Sequence, residues 1–200
     1  ELQKSNYCVL VSDCRGNLVQ EINRIEMMKG RQVDGFVLMP SGNKVDTIKK
    51  AVGNIPLILV DRILDKPIFD SVIINNELKT YEHVVSLLKS GIRKIGIIKG
   101  PDNISTARQR RIGYEKALAE YNIKNEFEYL SKDFSVEEGY IGMKELEKYN
   151  LEAIFASNYE LSVGAVNAND NNNLKILGFD TFDIPVRYYD NYTGIAQPIE

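Results

Sequence analysis

Lys94-Ile95-Gly96-Ile97-Ile98-Lys99-Gly100-Pro101-Asp102-Asn103-Ile104-Ser105-Thr106-Ala107-Arg108-Gln109-Arg110-Arg111-Ile112-Gly113-Tyr114 is the stretch that decides the fold. Residues 94–98 form a short apolar run bounded by Gly and Pro, which reads as a buried strand. From Thr106 the period changes. Ala107, Arg110, Tyr114, Ala117, Leu118 and Tyr121 recur at helical spacing and share one stripe. A strand that gives way to a helix is the repeating unit of a parallel α/β sheet. Arg110 is the exception on an otherwise apolar stripe, an inward-pointing cation at the start of a helix, whereas Arg108 and Arg111 lie on other sides. A buried guanidinium needs a carboxylate or a polar ligand.

The same alternation runs outward in both directions. Strands are expected at 7–12, 35–39, 55–60, 94–98, 126–130, 153–156 and 175–179, with short extended runs at 72–74 and 193–196. Helices are expected at 18–28, 44–52, 76–90, 106–121 and 136–148, and one begins at 161–166. Asn76 is the expected N-cap of the third helix and Gly91 its stop. The pattern predicts an α/β protein with parallel sheets flanked by helices. The connection from Val60 to Val72, with Asp65, Pro67 and Asp70, reads as a surface crossing without a helix. It suggests a first subdomain over 1–74 and a second over 75–193, with a return segment at 194–200 leading back to the first. The asparagine-rich run 166–174 is too polar for a whole crossover helix. It is either a loop or a place where the numbering closes over absent residues, which Cα spacings of about 3.8 Å would decide.

Composition narrows the class. Two hundred residues with a net charge of −3 describe an ordinary globular chain without the basic face of a nucleic-acid module. No apolar run approaches the roughly 20 residues that cross a bilayer, and no export signal stands at the start. Cys8 and Cys14, about six extended residues apart, are poorly placed for a disulfide. With His83 as the only histidine they make no metal set. No cofactor is expected, and a reducing, cytoplasmic setting is.

Ligands of open α/β sheets bind beyond the carboxyl ends of the strands. Those ends carry Asp61 and Arg62, Asn75 and Asn76, Gly100 followed by Thr106 and Arg110, Ser157 and Asn158, and Asp180. Phe134 follows the strand that ends at Leu130 and offers a face for stacking on a sugar or base. Carboxylate, amide and guanidinium around one place suit a polyol or a small polar ring. Each residue also has a plainer use: Asp61 as a turn cap, Asn158 as an N-cap, Phe134 as core, and Arg110 in a structural pair with Asp61 or Asp180. No glycine-rich nucleotide motif and no Ser–His or Cys–His pair accompanies them, so an enzyme is not expected.

Val33-Asp34-Gly35-Phe36-Val37-Leu38, Ile55 to Arg62, Gly91 to Ile98 with Gly100-Pro101, Thr106 to Tyr114, Ile154 to Asn158, Gly178-Phe179-Asp180 and Gln197-Pro198 stand in order along almost the whole chain. Together they resemble the effector-binding core of lactose-repressor-type (LacI/GalR) transcriptional regulators. The resemblance implies a periplasmic-binding-protein-like fold of type I, with two Rossmann-like subdomains, a ligand cleft between them, and a homodimer. By position it implies that Arg110 hydrogen-bonds the effector and that Thr106 lines the same helix start. Phe134 would stack on the effector, Asn158 and Asp180 would bind its hydroxyls, and Asp61 and Gln197 would face the cleft near the hinge. The family often has Asp where Asn75 stands and Asp where Tyr159 stands, and both departures remove a negative charge. The resemblance also places a DNA-reading helix-turn-helix, and the first strand and helix of the core, ahead of this chain, and further strands and a helix after it.

The function expected is effector sensing in a DNA-binding regulator, with operator DNA bound through a domain outside this chain. The effector would be a sugar, sugar phosphate or purine. A solute-binding protein of a transport system is the alternative.

Overall fold

The computed structural model describes residues 5, 7–124, 126–171, 173–181 and 191–197. The chain divides into two compact units, Glu1–Ile73 and Ile74–Glu200. Among the described residues no helix is long and apolar enough to cross a membrane.

In the first unit β1 (Phe36–Leu38), β2 (Leu57–Val60) and β3 (Asp70–Val72) form a parallel sheet in that order. Helices α1 (Leu18–Lys29) and α2 (Val45–Val52) bury Ile25, Val45, Ile48 and Val52 against Phe36, Leu57 and Leu59. Because side chains alternate along a strand, Val37 and Ile58 point the other way, and Val37 is 76% exposed. The stretch 7–12 is not a strand: it has no regular structure, and Tyr7, Val9, Leu10 and Val11 are exposed. An apolar run becomes a strand only by pairing, and 7–12 pairs with none of β1, β2 and β3. The crossing after β2 carries no helix, as expected, and its Asp65 carboxylate accepts the Val45 amide at 3.0 Å, capping α2 from outside.

The second unit is a parallel sheet of order β5-β4-β6-β7-β8. Its strands are β4 (Ile95–Lys99), β5 (Glu128–Leu130), β6 (Ala153–Ala156), β7 (Lys175–Phe179) and β8 (Tyr192–Ile195). Helices α3 (Asn76–Lys89) and α4 (Ser105–Glu120) cover one face, packing Val84, Leu88, Tyr114 and Leu118 on Ile95, Ile97, Phe155, Leu177 and Phe179. Helices α5 (Val136–Glu147) and α6 (Tyr159–Ala168) cover the other, packing Met143, Leu146, Leu161 and Ala165 on Ile98, Ile154 and Ile176. The N-cap of α3 is Asn75, not Asn76: the Asn75 side chain accepts from the Leu78 amide at 3.0 Å.

Residues 194 and 195 of the expected return segment belong to β8, in register with β7. Residues 198–200 of that segment lie outside the described residues. The asparagine-rich run ends α6 in consecutive turns, with Asn169 accepting from the Asn171 amide and Asn171 from the Asn173 amide.

Glycine sets the distance between α5 and α6. A Cβ at Gly164 would stand 2.6 Å from the Tyr140 nitrogen, and one at Gly139 would stand 2.7 Å from the Leu161 Cα. Helix propensity favours alanine over glycine by about 1 kcal/mol, but overlap with backbone cannot be relieved by a rotamer change and costs about 1–3 kcal/mol or more. Gly164→Ala is therefore expected to destabilise the protein by about 1–2 kcal/mol net, read as a lower urea midpoint at unchanged slope. A stabilised variant would mean that the two helices are not in this close contact.

Candidate functional site

The second unit gathers the sequence-selected residues at the carboxyl ends of its strands. Strand β4 ends at Lys99, and α4 starts a few residues later with Ile104 as its N-cap, which makes no side-chain capping bond. No acidic residue occupies its first turn, and Ser105, Thr106 and Ala107 are buried there, so the positive end of the helix dipole is not countered from within the helix. One turn on, Arg110 is 4% exposed, as its place on the apolar stripe requires. Its Nε donates to Asn76 Oδ1 at 2.8 Å and its NH1 to the Ser157 carbonyl at 2.7 Å. The guanidinium carbon lies 3.6 Å from the centre of the Phe179 ring, in stacking contact. Arg108 and Arg111 sit outside and bond to Asp102.

Strand β6 delivers Ser157 and Asn158. Asn158 caps α6, its Oδ1 accepting the Leu161 amide at 3.0 Å, while its amide nitrogen donates to Glu160. Strand β7 delivers Phe179 and Asp180. Asp180 has φ of 85°, left-handed backbone that few residues other than glycine adopt. Its carboxylate accepts from the Gln197 side-chain amide, and its carbonyl accepts from the Tyr192 hydroxyl at 2.5 Å. Burial pushes the Tyr192 hydroxyl well above the usual phenol range, so it stays a donor. Gly178 leaves room for that ring, since a Cβ there would stand 2.7 Å from Tyr192 Cε2.

Phe134 is held by the loop between β5 and α5. Ser131 Oγ donates to the Lys99 carbonyl at 2.7 Å, and the buried Glu138 accepts from the Lys132 amide at 2.8 Å and from the Tyr129 hydroxyl at 3.0 Å. Burial first, and Glu138 second, push the Tyr129 hydroxyl upward, which keeps it a donor. Ser135 and Glu138 have the spacing of a capping box, but the Glu138 carboxylate reaches the loop instead of the cap. The Phe134 ring crosses Gly100, where a Cβ would stand 2.6 Å from Phe134 Cζ.

Asp61 belongs to the first unit. It follows β2 with φ of 64°, its amide donates to the Val72 carbonyl at 3.0 Å, and its carboxylate lies 3.7 Å from Arg62 Nε. Asn75 is exposed at the head of α3 and caps it.

Asn76 and Ser157 stand among the strand-end residues of the sequence but not among its candidate effector contacts, and Phe179 stands in neither group; all three touch Arg110. The signal was the buried cation itself, since a guanidinium on an apolar stripe must find acceptors on the neighbouring elements. Among the described residues no His, Cys, Asp or Glu cluster could hold a metal ion. His83 lies on α3 with its ring nitrogen 2.8 Å from the Lys79 carbonyl.

Residues 3–198 match the family model described as periplasmic binding proteins and sugar binding domain of LacI family. The chain is 28% identical over 96% of its length to the HTH-type transcriptional repressor CytR of Escherichia coli, and spans 59% of that protein. It is 26% identical over 98% of its length to the ribose operon repressor of Haemophilus influenzae, and spans 62% of it. It also resembles the crystal structure of the lac repressor dimer bound to operator and the anti-inducer ONPF, at a TM-score of 0.83 and 21% identity, covering 98% of this chain and 72% of that one.

The packing of Phe134 on Gly100 can be tested by a double-mutant cycle. Gly100→Ala is expected to destabilise by about 1–3 kcal/mol in the presence of Phe134, and by at least about 0.5 kcal/mol less in a Phe134→Ala background. Additive losses in denaturant titrations would show that the ring does not rest on Gly100.

Proposed function

Since this chain belongs to the family of periplasmic binding proteins and LacI-type sugar-binding domains, we propose that it is the effector-sensing part of a DNA-binding transcriptional regulator. Operator DNA is bound through a domain outside this chain, the regulator works as a homodimer in the cytoplasm, and the effector is a sugar, sugar phosphate or purine. The relatives named above are transcriptional repressors, which favours this reading over a solute-binding component of a transporter. The domain acts by binding and not by turnover.

The observation that carries the reading is the setting of Arg110: buried, stacked on Phe179 and held by Asn76 and Ser157 at the carboxyl edge of a parallel sheet. Thr106 on the same helix start, Asn158 next to Ser157, and Asp180 next to Phe179 and bonded to Gln197 would supply donors and acceptors for hydroxyl groups, and Phe134 an apolar face. Asn75 completes the effector contacts proposed in this unit, and Asp61 is the one proposed in the first unit. A bound effector stabilises one state of the regulator over another, and operator affinity changes by the difference in its affinity for the two.

The intact regulator should be screened by thermal shift against those three effector classes. A true effector at 100 times its dissociation constant is expected to add about 2.7 kcal/mol of stability. Arg110→Ala would leave the acceptors on Asn76 and Ser157 buried and unsatisfied, each costing about 1–3 kcal/mol, so Arg110→Lys is the better probe. Arg110→Lys should fold and lose the shift. A shift of wild-type size in Arg110→Lys would remove Arg110 from the site.

A further inference from the structure

We infer that Asn76 is the positioning residue for Arg110 and ties it to the point where the chain enters the second unit, an inference that rests on the effector reading of Arg110 given above. Asn76 is 1% exposed, so water cannot stand in for its partners. Its side chain works at both ends. Oδ1 accepts from Arg110 Nε at 2.8 Å, while Nδ2 donates to Gln109 Oε1 at 3.2 Å and to the Ile74 carbonyl at 3.3 Å. A carboxamide offers an acceptor and donors on one planar group, which neither a carboxylate nor an apolar side chain of that size can do.

Contacts on two sides orient the guanidinium. Phe179 sets the plane, and Asn76 and Ser157 set the rotation within it. Asn76 also reaches onward to the chain crossing. Ile74 is the first residue of the second unit, and its carbonyl also accepts the Asn76 backbone amide at 2.9 Å. A ligand that turns or draws the guanidinium therefore draws on the Asn76 acceptor. Through the same rigid amide it alters the hydrogen bond to Ile74. Arg110 thus has a direct polar connection to the segment that joins the units, without passing through the sheet.

The test needs no effector. In the intact, nitrogen-15-labelled protein, hydrogen exchange is followed at Arg110 Nε–H and at the Asn76 side-chain amide. Asn76→Asp keeps the acceptor for Arg110 and removes the donors, whereas Asn76→Ala removes both. Exchange at Arg110 Nε–H is expected to stay slow in the wild type and in Asn76→Asp, and to quicken about tenfold or more in Asn76→Ala. In Arg110→Met, which does not alter Asn76 itself, the Asn76 side-chain amide is expected to quicken by about tenfold as well. Wild-type exchange at Nε–H in Asn76→Ala, or at the Asn76 amide in Arg110→Met, would overturn the inference. Should Asn76→Ala fail to fold, the Arg110→Met arm decides alone. Because no ligand enters, a failed effector screen leaves this result standing, and a negative result here leaves the effector reading intact.

Discussion

A guanidinium taken out of water must recover its hydrogen bonds inside the protein, and this requirement draws four elements of the second unit together. Arg110 comes from α4, Asn76 from α3, Ser157 from the end of β6 and Phe179 from the end of β7. Strand order makes the meeting possible. Because β6 lies between β4 and β7, the helix that follows β4 can reach across two neighbouring strand ends. The Ser157 carbonyl lies just past the last ladder residue of β6, where its oxygen can turn toward a side chain. The same guanidinium that is proposed to meet the effector also holds the strand ends in place.

The reach of Arg110 depends on how closely α3 and α4 approach. Gly113 lies one turn from Arg110, and a Cβ there would stand 3.0 Å from Thr80 Cβ, against the α3 backbone. Glycine in mid-helix costs about 1 kcal/mol relative to alanine. The close crossing it permits brings the Asn76 acceptor within 2.8 Å of Nε, and leaving a charged donor unmet in that place would cost more. Gly139 and Gly164 play the same part on the other face, between α5 and α6.

Period and burial were legible in the sequence because they are local. The stripe of α4 can be read from spacing alone, and it shows Arg110 inside and Arg108 and Arg111 outside. What the sequence concealed depends on partners far along the chain. The run at 7–12 has the composition of a strand, yet composition does not show whether a neighbour is at hand. The two asparagines at the head of α3 differ in nothing but register. One step along the chain exchanges the exposed cap for the buried amide that meets Arg110, and no local signal marks which is which. Asp65 caps α2 from 20 positions away, beyond the range of any capping rule read along the chain. Ser157 contributes its carbonyl, a group every residue carries, so its identity gives no warning.

The two units end one strand alike. Asp61 follows β2 and Asp180 follows β7, and both adopt left-handed backbone, with φ of 64° and 85°. Glycine would take either conformation with less strain, since it lacks the Cβ that crowds the carbonyl. Aspartate is among the few other residues that adopt it readily. At Asp180 the carboxylate engages Gln197 while the carbonyl receives Tyr192, so β7, β8 and the residues beyond them are joined at one point. At Asp61 the carboxylate lies beside Arg62, whose NH1 reaches the Pro40 carbonyl past the end of β1. Backbone strain held by surrounding bonds gathers where geometry matters more than stability. The same backbone conformation thus recurs in an aspartate at the carboxyl end of a strand in each unit.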